Sequence, residues 1–185
     1  MTQNQVIVII VAILAAVAVA LFYLKTQRSR RLRERFGPEY DRAIKQAGSL
    51  RAESRLEKLE RRVNKYNIRA LEPSTRDRYV QEWRLLQARF VDDPNSAVAA
   101  ADRLLGEIMA ARGYPVADFE QQADDLSVNH PLVIEHYRAG HTIAVRQAQG
   151  HATTEELRQA LIHYRALFDE LVDERAHAAV VATRS

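Results

Sequence analysis

Three histidines, His130, His136 and His141, fall in a twelve-residue window beside Asp124, Asp125 and Glu135. These are residue types that ligate transition metals, provided three or four of them converge. On a helix, His136 and His141 are five residues apart, about 140° around the axis, so they diverge. His141 instead shares a face with Tyr137 at i,i+4, which predicts a half-buried imidazole packed on tyrosine. His130, just before Pro131, reads as part of a helix start. No metal site is assigned.

The tetrapeptide HYRA occurs twice, at His136–Ala139 and His163–Ala166. If the two helices that carry it are neighbours, His136, Arg138, His141, His163 and Arg165 could line a cleft for a small anion, held by charge-assisted hydrogen bonds. The competing reading puts Tyr137 and Tyr164 in the core and leaves their polar neighbours at the rim. Acid–base catalysis by Tyr and His would also need a nucleophile or electrophile at hand, and none is marked. There is no glycine-rich phosphate loop, no G-x-S-x-G and no H-E-x-x-H. The chain has no cysteine, which excludes disulfides, Fe–S clusters and thiol catalysis. No catalytic residue and no cofactor is assigned.

The elements that would position these side chains all read as helix. Gly37-Pro38 ends one helix and starts another, and Gly48-Ser49 bends or breaks the next stretch. Leu56, Leu59, Val63 and Tyr66 form a narrow 3-4-3 seam. Beyond Pro73, where Ser74 or Thr75 is a candidate cap, Tyr79, Trp83, Leu86 and Phe90 make a heavy apolar stripe expected in the core. Asp93-Pro94 is a helix start, and Val98, Ala101, Leu105 and Ile108 continue it to Gly113. A short helix is expected near 118–125 and another from Pro131 to about Ala148. Thr153 and Glu156 form a capping box for a last helix with the stripe Leu157, Leu161, Tyr164, Phe168 and Leu171. No stretch alternates with period two.

Val6 to Leu24 carries no charged side chain and would make a helix about 28 Å long, close to the thickness of a bilayer core. The basic side chains come after this run instead of preceding it, which argues against a cleaved signal. Lys25, Arg28, Arg30, Arg31, Arg33 and Arg35 form a basic collar suited to anionic headgroups and to cytoplasmic retention of the rest of the chain. The expected layout is therefore a short extracytoplasmic N-terminus at 1–5, a transmembrane helix at 6–24 and a basic juxtamembrane linker at 25–37. A charged helical arm at 38–69, a helical bundle at 70–174 and a frayed tail at 175–185 complete it. The fold class is all-α: a single transmembrane helix and a four- to five-helix bundle. Ala12, Ala16 and Ala20 recur every four residues and would allow close packing of two copies of that helix.

Residues 70–185 hold twelve Lys/Arg against eighteen Asp/Glu, whereas 36–69 hold nine against five. The basic character thus belongs to the N-terminal part, and the distal domain is acidic, which argues against nucleic acid.

The segments FGPEYDRA, FVDDP, ARGYP with FEQ, DLSVNHP and TTEELRQALIHYRALFDEL resemble a family of bacterial single-pass membrane proteins of unknown function. The resemblance spans nearly the whole chain. It implies the same order of anchor, basic linker and helical domain, and it implies no activity or site residue. The expectation is a bacterial inner-membrane protein with its N-terminus outside and its domain in the cytoplasm. That domain would act as an interaction or scaffolding module for a protein partner. The alternatives are an enzyme or anion-binding domain using the HYR cleft, and a lipid sensor using the 39–67 arm.

Overall fold

Glycine, proline and capping residues punctuate the helices. The structure, a computed structural model, describes residues 3–173, with side chains described from Ala12 onward. Along it run α1 (Gln3–Phe36), α2 (Pro38–Ala47), α3 (Ser49–Val63), α4 (Pro73–Arg89), α5 (Pro94–Ala111), α6 (Phe119–Ser127), α7 (Ile134–Ala148) and α8 (Thr154–Val172). Among the described residues there is no strand. Gly37 and Gly48 separate the first three helices, and Pro38, Pro73 and Pro94 each open one. The Asp93 carboxylate accepts from the Ser96 N–H at 3.1 Å. At α8, Thr153 and Glu156 close the full reciprocal capping box. The start of α4 differs from expectation: Glu72 occupies the cap position without a side-chain bond, because Pro73 already sets the first helical φ.

The expected transmembrane helix at 6–24, and the single-pass layout built on it, are corrected. Among the described residues no helix is long and apolar enough to cross a membrane. The physical reason lies in where α1 goes. It continues without interruption through the basic stretch to Phe36, where Leu32 and Phe36 are buried. Ala12, Ala16 and Ala20 are exposed on α1. Part of the expected N-terminal segment and the whole expected tail at 175–185 lie outside the described residues.

The chain divides into two units, Met1–Glu57 and Lys58–Ser185, so the boundary falls inside α3 and within the arm expected at 38–69. In the first unit, Leu32 and Phe36 of α1, Tyr40 and Ala43 of α2, and Ala52 and Leu56 of α3 are buried. The buried Glu53 carboxylate accepts from Ser29 Oγ at 2.6 Å and from Tyr40 Oη at 3.0 Å. The basic collar is not uniform. Arg28 pairs with Glu57 at 2.6 Å and Arg33 with Asp41 at 2.7 Å; Lys25, Arg28, Arg30, Arg31 and Arg33 are all exposed, whereas Arg35 is half-buried.

In the second unit, α5 packs against α4, α7 and α8, and α7 pairs with α8 along most of its length. Trp83 of α4 stacks on Phe168 of α8, ring centres 4.6 Å apart. Val98, Ala101, Leu105 and Ile108 of α5 are buried at the centre, as are Leu157, Tyr164, Phe168 and Leu171 of α8. The segment after α3 crosses the end of α5, where the Arg69 N–H donates to the Arg112 carbonyl at 2.9 Å. Gly113 permits this crossing. It has φ +93°, and a Cβ there would lie 2.3 Å from the Asn67 carbonyl oxygen.

Candidate functional site

The residues of the expected anion cleft go to separate places. His136 and His163 do meet, with their Nδ1 atoms 3.0 Å apart on the exposed side of the α7–α8 pair. Arg138, nearly buried, turns the other way, to Glu120 of α6 at 3.0 Å and Asp124 at 3.3 Å. His141 lies flat on Phe119, ring centres 3.6 Å apart, and not on Tyr137. Arg165 is exposed and faces Asp169 on its own helix at 3.4 Å. Both guanidinium groups already have carboxylates, so neither is left to receive an anion.

Tyr164 Oη donates to Asp102 Oδ1 at 2.6 Å, and His141 Nδ1 sits 3.6 Å from the same oxygen. The second distance is too long for a regular hydrogen bond. Burial works to raise the Asp102 carboxyl, but the His141 and Tyr164 contacts outweigh it and hold the group below its usual range. Burial, then the Asp102 charge, pushes the Tyr164 phenol well up. A phenol that keeps its proton this firmly orders the core and does no acid–base work near neutral pH.

A second polar cluster closes the end of α8. His130 is fully buried, with Nδ1 3.0 Å from Glu170 Oε1. Burial pulls the His130 imidazole below its ordinary value, Glu170 pulls it back, and Arg112 lowers it further. The neutral ring therefore donates Nδ1–H to the carboxylate. Arg112 Nη1 donates to the Leu171 carbonyl at 2.7 Å, placing a cation on the negative end of the helix dipole. Asn129 Nδ2 donates to Tyr114 Oη at 3.1 Å. Each of these contacts holds a loop on a helix end. Their role is architectural.

A groove of about 300 Å³ lies open between α4 and α5. From α4 come Glu82, Leu85, Leu86 and Arg89; from α5 come Ala100, Arg103, Leu104 and Glu107. Both sets follow i, i+3, i+4, i+7 spacing, so each helix lends one continuous stripe. Leu86 and Leu104 form the buried floor, and Leu85 stands 68 % exposed on the rim. Glu82 is held by Arg78 at 3.1 Å and Arg89 lies in the field of Asp93, whereas Arg103 and Glu107 make no ion pair among the described residues. Sequence reasoning missed this groove. The available signal was Leu85, an apolar residue adjacent to Leu86 and about 100° off the stripe that fills the core.

Among the described residues, no three His, Asp or Glu side chains converge as a metal site. No protein-family model, no curated protein and no solved structure matches this chain, so the geometry stands without a relative to interpret it.

Proposed function

We propose that the second unit is a protein-interaction module and that its α4–α5 groove docks an amphipathic helix of a partner protein. One observation carries the reading: an open groove with an apolar floor, an exposed leucine on its rim and two rim charges, Arg103 and Glu107, without an ion pair among the described residues. Full burial of a leucine side chain is worth roughly 1.5–3 kcal/mol, and most of that remains unrealised at Leu85. Two helices side by side present the furrow into which an amphipathic helix lays its apolar face. Arg89 and Arg103 favour acidic residues beside the partner's apolar anchors, and Glu107 favours one basic residue toward the other end. Small-anion binding by the HYR residues is less favoured, because Arg138 and Arg165 already face carboxylates.

Selection of displayed helical peptides against the full chain tests the reading. Recovered sequences should carry apolar anchors at i, i+3 or i+4 flanked by Asp or Glu. They should lose binding to Leu85→Asp and weaken against Arg103→Glu. Peptides that bind both variants as well as the parent chain would refute it, as would a selection that yields no binder.

A further inference from the structure

Gly140 of α7 faces the ring of Tyr164 on α8 so closely that a Cβ there would lie 2.7 Å from two ring carbons. One turn earlier on α7 stands His136, and one residue earlier on α8 stands His163. The tight helix contact is therefore what brings two imidazoles from different helices together at the surface. Their rings are 5.3 Å apart between centres and tilted 37° to one another. Neither ring has another polar side-chain partner among the described residues. Of the other described histidines, His130 is buried on Glu170, His141 is covered on one face by Phe119, and His151 stands exposed in the turn between α7 and α8.

We infer that His136 and His163 form a two-histidine chelate for a late first-row divalent cation (Cu²⁺, Ni²⁺ or Zn²⁺) that links α7 to α8. Metal–imidazole bonds are about 2.0–2.1 Å, and two nitrogens 3.0 Å apart then subtend about 94° at a shared ion. That is the angle between neighbouring ligands in the tetragonal geometry favoured by Cu²⁺ and Ni²⁺. A tetrahedral Zn²⁺ would need the nitrogens to open only to about 3.3 Å, a small movement for exposed rings. In the metal-free pair, one Nδ1–H must donate to the other ring's lone pair. Binding requires that ring to shift its proton through solvent from Nδ1 to Nε2, so that both neutral rings turn an Nδ1 lone pair to the ion, and water fills the remaining coordination positions. Affinity should follow the order Cu²⁺ above Ni²⁺ and Zn²⁺.

The test is titration of the full chain with Cu²⁺ and Ni²⁺, read by calorimetry and by the thermal unfolding midpoint, with Cu²⁺ paramagnetic resonance to count bound nitrogens. One saturable site with two imidazole nitrogens and a metal-dependent rise in the midpoint are expected. His136→Ala and His163→Ala should each weaken the site by more than the roughly 10- to 100-fold that losing an outer-shell partner costs, and abolish the rise. His151→Ala should leave both unchanged. Trp83 fluorescence reports whether each variant keeps its core, and both histidines are exposed enough for substitution to preserve it. Wild type without a saturable site would overturn the inference. So would folded His136→Ala or His163→Ala variants that bind like the parent.

Discussion

Replacing Gly140 with alanine separates close helix packing from intrinsic helix preference, because Gly106 supplies an internal control. At Gly140 the new Cβ would sit 2.7 Å from Tyr164 Cδ1 and Cε1, about 1 Å inside the optimal carbon–carbon separation. The ring has nowhere to go. Tyr164 is fully buried, and its hydroxyl is tied to Asp102 at 2.6 Å. Overpacking of this kind costs about 1–3 kcal/mol, while alanine in place of a helical glycine returns about 1 kcal/mol. The expected net effect of Gly140→Ala is a loss of roughly 0–2 kcal/mol. At Gly106, in the middle of α5, a Cβ meets nothing within 4 Å, so Gly106→Ala should gain about 0.5–1 kcal/mol. Urea unfolding monitored by the fluorescence of Trp83, the chain's one tryptophan, reads both variants in the second unit. Gly140→Ala as stable as Gly106→Ala, within about 0.5 kcal/mol, would refute the packing argument.

Trp83→Ala removes a ring stacked on Phe168 in the core and should cost about 3–5 kcal/mol, measured by denaturant unfolding with circular dichroism. Thr153→Ala removes the side-chain half of the α8 capping box and should lower stability by about 1 kcal/mol in the same assay. Stability should also fall in mild acid. The folded imidazole of His130 is depressed, so its contribution is fully present above the unfolded value of about 6.5 and is lost as pH drops through the folded value. Glu170, held below the usual carboxylate range chiefly by its hydrogen bond with His130, adds a further loss at lower pH. Urea midpoints compared between pH 7.5 and 5.5 should decrease, and His130→Gln should flatten that slope.

Local chemistry made most of the helices legible. Gly37-Pro38, Gly48, Asp93-Pro94 and Thr153 with Glu156 act within one helical turn, and each helix they delimit lies where the sequence places it. Stripes translated in large part: Tyr79, Trp83 and Leu86 share one buried face, while Phe90, the last member of that stripe, caps α4 and is only half-buried. What failed depended on which helix lies opposite. The apolar run at the N-terminus reads as a self-contained span, yet α1 extends to Phe36 and buries Leu32, a consequence of the α2 and α3 contacts. Arg138 finds Glu120 and Asp124 only because α6 folds back on α7. The same fold places Phe119 under His141, which i,i+4 spacing had assigned to Tyr137. The two HYRA motifs read as one cleft, and the helices do pair, but the histidines meet at the surface and Tyr137 and Tyr164 in the core, ring centres 6.4 Å apart, while the arginines turn elsewhere. The α4–α5 groove needs two stripes at once, and a helix pattern taken singly cannot show it.

The most direct test of the groove as a docking site is a photo-crosslinking amino acid at position 85 in cells expressing the full chain, with parallel probes at Leu132 and Ile162. All three side chains are exposed and apolar, so they differ in location and not in chemistry. A docking groove predicts a dominant adduct at position 85 alone, mapping by mass spectrometry to an amphipathic helix with acidic flanks. Arg89→Glu with Arg103→Glu should diminish that adduct. Adducts of equal yield at all three positions, or one at position 85 that is indifferent to the two charge reversals, would contradict it.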